Sequence, residues 1–188
     1  MSSITTALVG FLFLSGPQSW ASAENRPVPV HVDPPASYVI ILTGYNAVPE
    51  QTDSDPFTTA SGAYSNPEVV AARSVDLRDQ LPFGTVIKFE YNASTTPDCG
   101  FNNVRSHVGY RVIADDMNDR MRNKVDILFG EDEDVNAGGI VRNAASALGF
   151  CRGVKITVVG KVDIAKIPQT QAQLVRIIEH APPAIAKR

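Results

Sequence analysis

Residues 110–130 read Tyr-Arg-Val-Ile-Ala-Asp-Asp-Met-Asn-Asp-Arg-Met-Arg-Asn-Lys-Val-Asp-Ile-Leu-Phe-Gly. Two short apolar runs, Arg111–Ala114 and Val125–Phe129, flank a polar connection rich in Asn, Asp and Arg. That is the pattern of a strand, a loop and a second strand. Each run carries an acid: Asp115 ends the first and Asp126 lies inside the second. A carboxylate between Val125 and Ile127 is costly to bury unless it is hydrogen-bonded, shares a proton or faces a groove. Strand alternation turns Asp126 away from both neighbours, so it need not enter a core. Arg111, Arg120 and Arg122 are close enough in sequence to pair with these acids, and a structural role therefore stands beside a chemical one.

The 188 residues leave room for one ordinary domain with appendages, and 44% hydrophobic with 20% charged residues is the balance of a globular fold. A formal net charge of −3 with no sustained basic run argues against nucleic acid as a partner. At the N-terminus, an apolar core at Ala7–Leu14 precedes Gly16-Pro17 and the small-residue site Ala21-Ser22-Ala23. Residues 1–23 thus read as a secretory signal peptide, although Met1–Thr6 lack the usual Lys or Arg. The segment is too short to span a bilayer comfortably, so no integral membrane span is expected after its removal. Residues 24–37 contain Pro27, Pro29, Pro34 and Pro35 and read as an extended leader.

Cys99 and Cys151 are the only cysteines, with no CxxC spacing and too few ligands for structural zinc. In an exported chain they most simply form one disulfide, the competing view being two unlinked thiols. A metal site on aspartates alone is a weak reading because no histidine joins them. The run Glu131–Asp134 lacks the alternating ligands of a calcium loop.

Strands are expected at Tyr38–Leu42, Val69–Val75, Val86–Tyr91 and Val154–Val162, besides the central pair. Asn46–Asn66 is a long polar stretch of the kind that usually covers or serves a site. Asn92–Arg105 reads as a second irregular loop, in which Asn92-Ala93-Ser94 fits the N-glycosylation pattern. The acids before residue 135 are expected to cap a helix over Asp134–Leu148, weakened by Gly138 and Gly139 and stopped at Gly149. Beyond the closing strand, Pro168 opens a short amphipathic helix with Leu174, Ile177 and Ile178 on one face, ended by Pro182-Pro183. Six short strands with one or two short helices over 38–162, followed by a helical tail over 163–188, predict a mainly β fold closed into a small barrel.

Several stretches carry a resemblance to a known family. These are Thr43-Gly44-Tyr45; Glu50–Asp53 through Pro56; Thr58-Thr59-Ala60-Ser61-Gly62; Ala71–Asp76 with Leu81-Pro82-Phe83-Gly84-Thr85; Asp115 and Asp126, eleven residues apart; and Ala147–Phe150 with Val154–Val159. In this order they resemble the landmarks of the three-aspartate (3D) domain. That domain is a double-psi β-barrel of exported bacterial cell-wall proteins, similar to the catalytic core of the membrane-bound lytic murein transglycosylase A family. The likeness runs from about Tyr38 to Val159 and aligns Asp76, Asp115 and Asp126 with the three aspartates. In one respect the chain departs: Met117 and Asn118 stand where the transglycosylase branch has paired glycines.

The resemblance implies a lytic transglycosylase acting on peptidoglycan glycan strands, in the periplasm or cell envelope, with no cofactor. It implies Asp126 as general acid and then base, Asp115 as the neighbour that raises its pKa, and Asp76 lining the same groove. Tyr45, Thr59, Asn118 and Arg120 are the substrate-binding candidates: Asn118 and Arg120 can hydrogen-bond sugar hydroxyls or a stem-peptide carboxylate, and Tyr45 can stack on a sugar ring. Each has a plainer role: Tyr45 in the barrel wall, Arg120 neutralising an acid, Asp76 capping its turn, and Thr59 and Ser61 bonding their loop. Asp53 and Asp55 read as loop caps. A non-catalytic barrel that binds peptidoglycan or an envelope partner, its aspartates structural, is the alternative function.

Overall fold

A computed structural model of the chain describes residues 35–48, 55–92 and 99–180. The signal peptide, nearly all of the proline leader, Glu50–Asp53, Ala93-Ser94 and Pro182-Pro183 lie outside the described residues.

Six strands close into a barrel: β1 (Ser37–Asn46), β2 (Val70–Arg73), β3 (Thr85–Glu90), β4 (Arg111–Asp116), β5 (Lys124–Phe129) and a last strand, Cys151–Lys161. Between β5 and that last strand, β6 (Asp134–Ala137) and β7 (Ile140–Asn143) form a separate hairpin, which makes the last strand β8. Around the barrel the order is β1-β5-β2-β4-β3-β8. The β1–β5 and β2–β4 contacts are parallel and the other four antiparallel. Exchanging β1, β2 and β3 with β4, β5 and β8 reproduces the same order and the same senses. Two interlocked three-strand halves of this kind fit the expected double-psi barrel.

Alternation along the strands explains the core. Ile40 and Leu42, Ala71, Ile87, Ile113, Val125 and Ile127, and Val154 and Ile156 come from all six strands and are all but fully buried in one cluster. Small barrels fill their interiors with side chains in this way. Helix α1 (Phe101–Val108) adds Phe101, Val104 and Val108 to that core, and α2 (Ala144–Leu148) adds Ala144 and Leu148. At Gly100 a Cβ would lie 1.6 Å from the Ala147 carbonyl oxygen, so only glycine lets the start of α1 approach α2 this closely.

Three expectations need correction. The predicted helix over Asp134–Leu148 is a hairpin followed by a five-residue α2. Gly138 and Gly139 have φ of +65° and +87°, the pair of left-handed residues that closes a two-residue hairpin turn. The Asn143 side chain, rather than the acids, caps α2 by accepting from the Ala145 N–H, and Gly149 ends it at φ +63°. The expected loop Asn92–Arg105 contains the start of α1, whose apolar residues recur at i, i+3 and i+7. The strand expected over Val69–Val75 stops at Arg73, because Ser74 starts a 3₁₀ turn, Val75–Leu77. The short tail helix expected after Pro168 is present as α3 (Gln171–His180) and docks: Leu174 is buried with Val69, Val70 and Val112 and Ile178 packs against them, Ile177 alone of the three being exposed.

Cys99 and Cys151 form a disulfide with Cα atoms 5.1 Å apart, tying the segment before α1 to the start of β8. Among the described residues no helix is long and apolar enough to cross a membrane.

Candidate functional site

A slip in register builds the site. Ala71 of β2 lies opposite Ile113 of β4, but Ala72 lies opposite Asp115, leaving Ala114 as the extra residue of a bulge. Without it Ala72 would face Ala114, and alternation would turn Asp115 to the other side of the sheet. Ala72 also lies opposite Asp126 of β5, which in turn lies beside Thr43 of β1. Thr43, Asp126, Ala72 and Asp115 therefore form one row across four neighbouring strands. They point away from the interior that Val125 and Ile127 fill. The two acids stand two strands apart, roughly 10 Å between Cα atoms from strand spacing, with Ala72 on the strand between them.

The environments of the two carboxyls differ sharply. Asp115 Oδ1 accepts from the Ala60 N–H at 2.8 Å and the Asp116 N–H at 2.9 Å, and its Oδ2 accepts from the Tyr45 hydroxyl at 3.0 Å. By contrast, Asp126 Oδ1 is shut off from solvent and has no hydrogen-bond partner. Burial pushes the Asp126 carboxyl up to about 6, with the Asp115 charge adding to it; the Thr43 hydroxyl and the Lys124 charge act in the other direction. The Tyr45 phenol is pushed well above its ordinary 10, first by burial and then by Asp115, so it stays a proton donor to that carboxylate.

Asp115 and Asp126 lie in an open groove of about 780 Å³. Tyr45 and Ala72 lie beside the two acids in its lining; Thr58, Ala60 and Ser65 come from the polar loop before β2, and Asp116, Met117, Asn118, Asp119 and Met121 from the β4–β5 connection. The polar loop is held against the barrel by the Ser61 N–H, which donates to the Ala114 carbonyl at 3.2 Å. That bond uses the carbonyl of the bulged residue itself. Among the described residues no Lys or Arg lines the groove. Asp116 is neutralised by the buried Arg73 guanidinium at 2.5 Å, which also donates to the Leu81 carbonyl at 2.7 Å and stacks on Phe83.

Of the residues singled out in the sequence, Asp115, Asp126, Tyr45 and Asn118 come together here. Asp76 does not: it is exposed outside the groove, and its Oδ2 accepts from the Asn123 N–H at 2.9 Å. What burial it has raises its carboxyl, but hydrogen bonds from Ser74, Asn123 and its own backbone, with the Arg122 charge, outweigh this and hold it below the usual range. Thr59 is turned into its loop, bonding Ser61 Oγ and the Ala63 backbone. Arg120 donates to Asn118 Oδ1 and forms no ion pair with Asp115 or Asp126. Arg111 is buried and donates to the carbonyls of Val108, Pro67, Leu128 and His107; burial lowers it to about 10. Asp55 caps its loop by accepting from the Phe57 N–H.

Thr43, Arg73 and the Ala60 amide were not singled out for the site. They reach it through lateral register and loop closure, which leave no local pattern. Among the described residues, no three His, Cys, Asp or Glu side chains are grouped to hold a metal ion. Compared with known proteins, the chain matches no family model and no curated protein.

Proposed function

We propose that this chain is an exported cell-wall protein whose groove cleaves peptidoglycan glycan strands as a lytic transglycosylase does. The observation that supports this is Asp126, a carboxyl with one buried, unpartnered oxygen and a pKa of about 6 in an open groove. An acid of that strength keeps about one molecule in ten protonated at pH 7 and still accepts a proton back readily. Asp126 gives its proton to the bridging oxygen as the bond from C1 to that oxygen breaks. The Asp115 carboxylate, fixed by its three donors, stabilises the positive charge growing on the sugar ring. The muramic acid 6-hydroxyl then attacks C1 and its proton returns to Asp126, leaving a 1,6-anhydro sugar with no water consumed. The disulfide supports export, since such bonds persist in oxidising compartments.

Mass spectrometry of purified murein after incubation with the protein tests the reading. Anhydro-muropeptides are expected from the natural chain and none from Asp126→Asn. Intact murein, while an authentic transglycosylase digests the same batch, overturns it.

A second reading, a non-catalytic peptidoglycan-binding barrel, is favoured by Met117 and Asn118 in the groove lining, where the transglycosylase branch has glycines. Equal retention on murein by the natural chain and Asp126→Asn, without turnover in either, selects it.

A further inference from the structure

We propose that Tyr64 is a stacking platform for a pyranose ring at the rim of the groove; this rests on the reading that a glycan occupies it. The ring is 61% exposed. Its backbone forms an antiparallel bridge with Thr58, flanked by hydrogen bonds from the Thr59 N–H to the Ala63 carbonyl (2.8 Å) and from the Ser65 N–H to the Phe57 carbonyl (2.9 Å). That pattern makes Thr58 and Tyr64 a non-hydrogen-bonded pair, in which the two side chains stand closest and on the same face. Thr58 lines the groove, so Tyr64, its cross-strand neighbour on that face, stands at the groove's rim.

Tyr45, the aromatic first assigned to stacking, has its hydroxyl committed to Asp115 at 3.0 Å and its ring partly buried. Tyr64 offers an open ring face, and the Thr59 bonds to the Ala63 backbone hold its loop in place before any ligand arrives. A pyranose presents an apolar face of C–H bonds, which an exposed aromatic ring covers while the sugar hydroxyls stay wet. Phe57 supplies the internal control. It is 67% exposed on the same loop, but alternation turns it to the other face from Thr58.

The test uses the full chain carrying Asp126→Asn, so that bound glycan is not cut, and measures binding to a tetramer of N-acetylglucosamine and to purified murein. Adding Tyr64→Ala is expected to weaken binding roughly tenfold, the order of one lost stack on an aromatic ring. Tyr64→Trp should retain binding and Phe57→Ala should leave it unchanged, all with melting temperatures equal to the parent's. Parent-like binding by Tyr64→Ala, an equal loss in Phe57→Ala, or no binding by the parent overturns the proposal. Murein cleavage by the natural chain is read in parallel. Cleavage with Tyr64→Ala binding unchanged removes the platform alone; Tyr64-dependent binding without anhydro products removes the transglycosylase reading alone.

Discussion

Asp115 and Asp126 flank Ala72 from the strands on either side of it, and three donors hold Asp115 while Asp126 Oδ1 has none. The asymmetry follows from where each sits. Asp115 is the last residue but one of β4, where the covering loop delivers the Ala60 amide and β1 delivers the Tyr45 hydroxyl. Asp126 lies mid-strand, where its backbone neighbours are already committed to the ladder. Three donors thereby fix the orientation of the Asp115 carboxyl, whereas burial leaves Asp126 easier to protonate.

Asp126→Asn should stabilise the fold above pH 6. The folded carboxyl titrates at about 6 and the unfolded one near 3.8, so between these values the native state binds more protons. Stability contributed at Asp126 therefore falls as pH rises from about 4 to 6, and the penalty persists at higher pH. Two units correspond to at most ~3 kcal/mol, less after local relaxation. Thermal melts should show Asp126→Asn matching the natural chain near pH 4 and exceeding it at pH 7.5. A sharply lower melting temperature at pH 7.5 would make Asp126 a structural carboxylate.

Asp115→Asn should lower the Asp126 pKa, because it removes a charge that opposes ionisation. Burial is the larger cause and stays, so the midpoint should fall only part of the way back to the ordinary carboxylate value. Carbon-13 carboxyl titration by NMR reads this without reference to activity. In a glycan-cleavage assay, the alkaline limb should move to lower pH by the same amount. A midpoint that does not move would mean that the two acids are not coupled.

The barrel was legible because Val125–Phe129 and Arg111–Ala114 are β-branched runs whose alternation already separates Asp126 from the core. The helix expected over Asp134–Leu148 failed because helical spacing cannot reveal that Gly138 and Gly139 both adopt positive φ. Helix α1 went unseen because three apolar residues in an eight-residue segment are a thin pattern. At the site, an acid inside an apolar strand is conspicuous, so Asp126 could be found. Asp76 looked equivalent in the chain, since an acid that binds a neighbouring backbone and one that faces a groove share the same local sequence. The row Thr43–Asp126–Ala72–Asp115 depends on lateral register and on a bulge, neither of which is written in any one segment.

Arg73→Met should be among the most damaging substitutions outside the hydrophobic core. The side chain is 2% exposed, and its loss leaves the Leu81 carbonyl without that donor and Asp116, itself 27% exposed, with only the longer Arg78 contact at 3.8 Å. Removing one partner of a fully buried pair costs about 3–5 kcal/mol, and the exposure of Asp116 brings the loss toward the lower figure. Asp116→Asn in the same chain should recover part of this, because the uncompensated charge is then gone. Denaturant melts of the two single variants and the double variant check it; strictly additive losses would show that the two groups act independently.

Reduction should destabilise the domain without dissolving the site. The Cys99–Cys151 bond closes a loop of 52 residues, for which chain entropy gives about 4 kcal/mol. For a domain of this size that is a fall in melting temperature on the order of 10 °C. The bond anchors the segment before α1 to the start of β8, whereas the groove is lined from β1, β2, β4, β5, the polar loop and the β4–β5 connection. The paired Cys99→Ala and Cys151→Ala variant should therefore melt earlier yet keep the Asp126 titration midpoint. Finding the melting temperature unchanged in the paired variant would remove the cross-link from the list of what holds the barrel closed.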